Sequence, residues 1–389
     1  MGGLRGDFVE AFERVIKALA AGGAWLWAAP PPAAAVPQLQ LASAPVTGFA
    51  KAYAPRSFQL PLDNGPHADF QTEWWYYTGN LQDAAGRHFG YQLTFFRRGL
   101  TPGAAPPRTS GFATNQIYFA HFAITDVAGD KHHFAERFSR GAADLAGASG
   151  APYQVWLEDW RADSLNADGT RLQLHAKEGD FALDLTLETR KPIVAHGNSG
   201  LSPKSAEAGN ASYYLSYTRM DTAGTITLNG AASAVAGTSW FDHEWSTSAL
   251  GPKAVGWDWF SLQLDDEREI MFFQMRRADG TLEPVSGGTL VAADGSTRRL
   301  AAADVQLSVA DTWRSAATGA TYPAAWRVVI PSAQLDLRVQ PWLAQQEMLV
   351  SFAYWEGAVQ VSGTSAGQAI TGNGYVELTG YAGSLQGQF

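Results

Sequence analysis

The fold of this chain is best read from residues 237–246, Gly237-Thr238-Ser239-Trp240-Phe241-Asp242-His243-Glu244-Trp245-Ser246. Aromatic residues are frequent here, and aromatic residues favour strands. Because side chains alternate between the two faces of a strand, we expect Trp240, Asp242 and Glu244 on one face. If that face borders a cavity, its carboxyls stand in an apolar wall. Burial there raises a carboxyl pKa and makes the group a proton donor.

The triplet Asp242-His243-Glu244 is open to three interpretations. All three residues are candidate catalytic residues, although strand alternation turns His243 to the opposite face together with Trp245. They are equally consistent with a buried polar network that pins the end of a strand. A metal site is the third alternative, and it needs at least one further ligand from another strand.

Composition excludes several classes of protein. The chain has 389 residues, of which 46% are hydrophobic and 17% charged, so it can build large cores and we expect two domains. Its net charge is −9 and it has no long basic block, which argues against nucleic acid and anionic membranes as partners. The absence of cysteine excludes disulfides, thiolate metal sites and cysteine nucleophiles.

The first 50 residues are typical of an export signal and a linker. Arg14 and Lys17 precede an apolar run at residues 18–29, and small residues follow at 33–36. This is the pattern of a secretory signal peptide, and the run is shorter than a membrane-spanning helix needs. We therefore predict a periplasmic or secreted protein after removal of the signal. The alternative is an alanine-rich disordered tail.

From Phe58 onward the chain is predicted to be almost continuous β-structure. In Asp180–Thr189, leucines and a phenylalanine alternate with polar residues, which indicates a strand with one buried face. Turn signals separate such runs, among them Asp221-Thr222-Ala223-Gly224. The sequence predicts an all-β protein with two antiparallel barrels packed together. Placing the boundary within Asp221–Gly230 gives domains at residues 51–225 and 226–389.

A second aromatic strand is predicted at Thr72–Asn80. It carries Trp75 and Tyr77 on one face and Trp74 and Tyr76 on the other. One face must pack a core, and the other meets a second domain or a ligand. Further aromatic strands follow in both halves of the chain. The residues predicted to bind substrate are Trp74, Trp75, Tyr76, Tyr77, Tyr213, Tyr214, Trp240, Trp245, Trp257 and Trp259.

Several of these motifs resemble one known superfamily. The chain is similar to two-domain lipocalin-like proteins of the carotenoid 1,2-hydratase (hydroxyneurosporene synthase) type, and more closely to their "predicted secreted hydrolase" branch. The resemblance implies two calycin-type barrels and an apolar ligand site at a barrel mouth or at the interface. The motifs that carry it are Glu73–Gly79, Gly200–Ser205, Asn210–Tyr214, Asp242–Trp245, Gly256–Trp259, Tyr354–Gly357 and Gly374–Tyr381.

The resemblance also implies a chemistry. The carotenoid hydratases protonate a terminal C=C bond and let water capture the cation, without a metal or an organic cofactor. Their proton donor is an aspartate in an aromatic-x-Asp strand, and Trp240 and Asp242 match that pair. Trp240 stands where those enzymes have tyrosine. Their His-x-Trp motif falls near Tyr213–Leu215, where this chain has no histidine.

Two functions from different classes remain open. The first is an exported hydro-lyase that encloses a large apolar molecule, of isoprenoid, carotenoid or lipid-like character, and hydrates or isomerises it at Asp242. The second is a non-catalytic lipid carrier that works beside an envelope transport system. A purely structural module, whose aromatic residues only pack the barrels, is a third alternative. A serine hydrolase is not supported, because no Gly-x-Ser-x-Gly elbow precedes a helix.

Overall fold

The computed structural model describes residues 47–103, 110–248 and 250–385, and the predicted all-β fold is confirmed. Only three short 3₁₀ helices interrupt the strands of these residues, at Leu62–Asn64, Ala302–Asp304 and Pro331–Ala333. Within the same ranges, no helix has the length and apolar character needed to cross a membrane. The predicted signal segment lies within residues 1–46, which are not among the described residues.

Thirteen strands form the first sheet, and all of their pairings are antiparallel. They are β1 (Thr72–Asp83), β2 (His88–Gly99), β3 (Gln116–Asp126), β4 (Lys131–Arg140), β5 (Ala146–Gly150), β6 (Tyr153–Leu157), β7 (Trp160–Ser164), β8 (Arg171–Glu178), β9 (Phe181–Thr189), β10 (Val194–Ala195), β11 (Leu201–Pro203), β12 (Ala211–Leu228) and β13 (Ala231–Ser246). The strand order is β4-β3-β2-β1-β13-β12-β9-β8-β7-β6-β5, with β10 and β11 also paired to β12.

Ten strands form the second sheet, again with antiparallel pairing. They are β14 (Ala254–Leu264), β15 (Glu269–Arg277), β16 (Gly287–Val291), β17 (Thr297–Ala301), β18 (Gln306–Arg314), β19 (Thr321–Ile330), β20 (Leu335–Pro341), β21 (Glu347–Leu349), β22 (Ala353–Ser365) and β23 (Gln368–Leu378). The order is β17-β16-β15-β14-β23-β22-β20-β19-β18, with β21 beside β22. The two sheets curl into a barrel and a half-barrel.

Each sheet encloses its own apolar core. In β9 the predicted alternation is confirmed, since Phe181, Leu183, Leu185 and Leu187 are buried while the residues between them are more exposed. These residues join Trp75, Tyr77 and many others in the core of the first barrel. A separate apolar cluster around Trp326 and Trp355 fills the half-barrel of the second sheet. Burying these large side chains supplies the main driving force for folding.

The outer faces of the two sheets pack against each other. β1 contacts β23, β2 contacts β22, and β12 contacts β14. An apolar cluster joins Tyr76, Tyr214 and Trp240 of the first sheet to residues of the second, including Trp259 and Tyr375. Buried charge reinforces this interface, because the Glu269 carboxylate binds Lys191 at 2.8 Å and Arg219 at 2.6 Å.

The predicted turn at Asp221-Thr222-Ala223-Gly224 is wrong. β12 continues through these residues and pairs with β13 and β9 on its two sides. The turn lies at Asn229-Gly230, where φ is 51° and 78°, as a two-residue hairpin loop requires. The chain passes from the first sheet to the second between Ser246 and Ala254, whereas the predicted division at 225 and 226 lies inside β12.

Candidate functional site

A cavity lies between the outer faces of the two sheets. The space in and at the mouth of this cavity, open solvent included, is about 780 Å³. β1, β2, β12 and β13 form one wall, and β14, β15, β22 and β23 contribute to the other. Aromatic residues and carboxyls dominate the lining. It consists of Trp74, Tyr76, Gln92, Thr94, Phe96, Lys204, Tyr214, Asp242, Glu244, Trp257, Trp259, Phe273, Met275, Phe352, Tyr354, Glu356 and Glu377.

Strand register builds the first wall from rows of paired residues. One row runs across β2, β1, β13 and β12 through Thr94, Tyr76, Asp242 and Ser216. Because partners directly opposite in an antiparallel sheet lie on the same face, all four side chains point the same way. The next row on this face, two residues along, contains Glu244. The expectation that Asp242 and Glu244 share one face is thereby confirmed.

Asp242 accepts hydrogen bonds from three side chains. The Tyr214 hydroxyl donates to Oδ2 at 2.6 Å, and the Trp240 indole N–H donates to Oδ1 at 2.6 Å. The Ser216 hydroxyl also donates to Oδ1. Burial raises the pKa of Asp242 from 3.8 to about 7, although these three hydrogen bonds oppose the increase. The neutral acid is therefore present near neutral pH, while donors stand ready to stabilise the anion that proton transfer leaves behind.

A buried histidine is linked to Asp242 through Ser216. His196, which follows β10, places Nε2 at 2.8 Å from the Ser216 hydroxyl and Nδ1 at 2.8 Å from the Thr289 hydroxyl. Because Ser216 donates to Asp242, it accepts from His196 Nε2. Burial lowers the pKa of His196 to about 3, so the ring is neutral. The chain lacks histidine near Tyr213–Leu215, yet His196 is linked to Asp242 through the Ser216 hydroxyl. Local sequence carries no signal for this link.

Glu244 differs from Asp242 because a cation neutralises it. Lys204 Nζ lies 2.5 Å from Glu244 Oε1, and the Ser212 hydroxyl donates to the same oxygen. Both charged side chains are nearly inaccessible to solvent. The ammonium also lies 5.3 Å from the ring centre of Tyr214 and 5.0 Å from that of Phe273. Glu244 is therefore held as an ion pair in the wall.

The second wall carries two further carboxyls. Glu356 on β22 and Glu377 on β23 are register partners, so their side chains lie side by side. Burial, and then the charge of Glu377, raise the pKa of Glu356 well above its ordinary value. Burial likewise raises the pKa of Glu377 to about 7; a hydrogen bond from Trp257 opposes this increase and the charges of Glu244 and Asp242 add to it. These two carboxyls were absent from the predicted site.

The structure divides the predicted aromatic residues into two groups. Trp74, Tyr76, Tyr214, Trp257 and Trp259 line the cavity, and Trp240 touches Asp242. The remaining four point away from the cavity. Trp75 and Tyr77 lie in the core of the first barrel, while Tyr213 and Trp245 lie in a separate apolar cluster.

His243 also points away from the cavity, into a polar network. Its Nε2 lies 2.9 Å from Glu73 Oε1, and His67 Nδ1 lies 2.8 Å from the same oxygen. Arg97 binds the other oxygen of Glu73 at 2.8 Å. His67, Glu73 and His243 are close enough together to hold a metal ion. Their hydrogen bonds to one another and the Arg97 ion pair already satisfy the carboxylate, as in a network that pins a strand.

Comparison with known proteins identifies the family. The family model described as AttH-like matches residues 51–381. The crystal structure of a protein assigned as AttH from Nitrosomonas europaea is 36% identical, with a TM-score of 0.74, over 84% of this chain and 99% of that one. This chain belongs to the AttH-like family.

Two more distant structures share the fold of this AttH-like protein. Kievitone hydratase from Nectria haematococca is 16% identical, with a TM-score of 0.66, over 89% of this chain and 99% of that one. CghA, solved with Sch210972, is 14% identical, with a TM-score of 0.52, over 89% of this chain and 98% of that one. No curated protein matches significantly. The expected resemblance to lipocalin-like proteins of the carotenoid hydratase type is confirmed.

Proposed function

We propose that this AttH-like protein binds a large apolar molecule between its two sheets and hydrates or isomerises a C=C bond of that molecule, with Asp242 as proton donor. The observation that carries the proposal is a buried carboxyl in an aromatic-lined cavity, with three hydrogen-bond donors around it and no ion pair to any residue that the structure describes. The ligand class, isoprenoid, carotenoid or lipid-like, is part of the proposal. So is the assignment as a hydro-lyase.

The reaction begins with transfer of the Asp242 proton. Oδ1 accepts two hydrogen bonds and Oδ2 one, so the acid proton belongs on Oδ2. The π electrons of the double bond take this proton, a C–H bond forms, and the adjacent carbon becomes a cation. Aromatic faces such as those of Trp74 and Trp259 stabilise a cation in the cavity. Water then adds to the cation, or the Asp242 carboxylate removes a different proton and the isomerised alkene forms.

The proposal is tested with squalene and lycopene, acyclic isoprenoids that end in isopropylidene groups. Purified protein is incubated with each compound in heavy-oxygen water, and labelled alcohols are measured by mass spectrometry. We expect Asp242→Asn to lower alcohol formation by about 100-fold or more, the usual loss when a general acid is removed. Retention of the compound by both proteins, with no turnover by either, would instead indicate a carrier.

A matched control separates chemistry from folding. Glu347 is a buried carboxyl that, like Asp242, accepts hydrogen bonds from three side chains, here the hydroxyls of Ser315, Thr318 and Tyr322, but it does not line the cavity. Glu347→Gln is expected to keep its turnover. If Asp242→Asn also kept its turnover, Asp242 would not be the donor.

We also propose that the protein is exported. The supporting pattern lies within the first 46 residues, outside the part that the structure describes. Cell fractionation, combined with N-terminal sequencing of the mature chain, tests this; a cytoplasmic, uncleaved protein would refute it.

A further inference from the structure

Hydration moves two protons, and Asp242 accounts for only one of them. The first proton goes to carbon. When water adds to the cation, its oxygen becomes positively charged and must lose the second proton to a base. The following inference rests on the proposed function and assigns that base.

The cavity lining offers three other carboxyls, and their surroundings separate them. Glu244 is already bound to Lys204 and Ser212. Glu356 is buried, with the hydroxyls of Tyr76 and Tyr354 beside it. Glu377 is half-buried on the cavity side, and its one hydrogen bond within the described ranges comes from the Trp257 indole N–H, at 2.8 Å.

The absence of a cation distinguishes Glu377 from three buried carboxylates. Glu73, Glu244 and Glu269 are each paired with a lysine or an arginine. For Glu377, no ion pair occurs among residues 47–103, 110–248 and 250–385. A carboxylate without a fixed cation remains basic enough to accept a proton near neutral pH.

We propose that Glu377 is the catalytic base that takes a proton from the attacking water, and that Glu356 is a positioning residue beside it. A lone pair of water forms the C–O bond, an O–H bond of that oxygen breaks, and its proton passes to the Glu377 carboxylate. The products are a tertiary alcohol, ionised Asp242 and protonated Glu377. Transfer of one proton from Glu377 to Asp242 through cavity water restores the starting state.

Glu356 keeps its neighbour ionised. Two carboxyls side by side do not both ionise readily, because like charges repel in a site of low polarity. Glu356 is the more buried of the two and retains the shared proton. Glu377, which opens on the cavity, is the one left to ionise. The position of the pair on β22 and β23, across the cavity from β13, places acid and base on opposite walls.

Isotope labelling separates the two proton transfers. Squalene is incubated in a mixture of deuterium oxide and heavy-oxygen water with the wild type, Asp242→Asn and Glu377→Gln. In Glu377→Gln, Asp242 still delivers a deuteron to the alkene, and its anion then removes a proton from that same carbon, so the original double bond forms again. Recovered squalene is therefore expected to contain deuterium at about the wild-type rate, while labelled alcohol falls by about 100-fold.

The other outcomes distinguish the two proposals. Asp242→Asn is expected to lose both deuterium exchange and alcohol. If Glu377→Gln forms alcohol within about threefold of the wild type, the base assignment is overturned and the donor assignment stands. If the wild type itself gives neither label, the proposed function fails, and this inference fails with it. Glu377→Asp, which keeps a carboxylate, is expected to recover part of the alcohol; no recovery in a folded variant also overturns the assignment.

Discussion

Replacing Asp242 with asparagine should change how the stability of the protein depends on pH. Folding raises the pKa of this carboxyl from 3.8 to about 7, so between these values the native state holds a proton that the unfolded chain has lost. The contribution of Asp242 to stability is therefore fully present below pH 3.8 and is lost as pH rises to about 7. An asparagine side chain has no such proton to lose; hence the Asp242→Asn variant escapes this loss.

The expected size of the effect follows from the two pKa values. Each pH unit between them is worth about 1.4 kcal/mol, so the full span amounts to about 4 kcal/mol. The variant can keep two of the three native hydrogen bonds and reverse the direction of the third. Its amide oxygen can accept from Ser216 and Trp240, and its amide nitrogen can donate to the Tyr214 oxygen. We therefore compare the free energy of unfolding of Asp242→Asn with that of the wild type. The variant-minus-wild-type difference should be more positive at about pH 8 than at about pH 4.

Urea denaturation measures this difference directly. The free energy of unfolding is determined for both proteins at intervals from about pH 4 to pH 9, and the wild-type value is subtracted from that of the variant. Asp168→Asn is the control, because hydrogen bonds from Thr170 lower the pKa of that exposed carboxyl. Its curve should parallel the wild type above about pH 5. A constant difference for Asp242→Asn over the whole range would refute the raised pKa.

Three further changes test other contacts. Lys204→Met leaves Glu244 buried and unpaired, so urea denaturation should show a loss of about 3 kcal/mol or more, and Glu244→Gln in the same chain should recover most of it. Gly90→Ala places a Cβ well inside van der Waals contact with the Ala358 Cβ. Calorimetry should show a lower Tm, because the overlap reduces the free energy of unfolding by about 1–3 kcal/mol, and Ala358→Gly in the same chain should relieve it. Trp240→Phe removes a hydrogen-bond donor that favours the ionised form of Asp242. In urea denaturation over a range of pH, the midpoint at which the protein loses the stability contributed by Asp242 should therefore move up by about one pH unit.

Much of the first wall of the cavity could be predicted from local sequence. The alternation of side chains in residues 237–246 separates Asp242 and Glu244 from His243, and the structure agrees. Alternation does not say which face meets the cavity. For that reason Trp75 and Tyr77 could not be told apart from Trp74 and Tyr76 until the core of the first barrel was known.

The second wall depends on contacts that no local pattern contains. Glu356 and Glu377 reach the cavity because β22 pairs with β23 and both pack against the first sheet. Lys204 comes from an irregular segment after β11, and His196 from the end of β10. The misplaced turn has a similar origin: Gly224 has the composition of a turn but lies in a long strand, where a Cβ would overlap the Asp184 carbonyl oxygen of β9.

Side chains fill the core of the first barrel, and the cavity lies outside it, between two sheets that hold their hydrogen-bonding patterns separately. The two walls are therefore independent surfaces for evolution. A substitution on the wall formed by β14, β15, β22 and β23 reshapes the cavity while leaving the strand pairing around Asp242 intact. Under the proposed function, ligand preference diversifies on one wall while the proposed proton donor on the other stays in place.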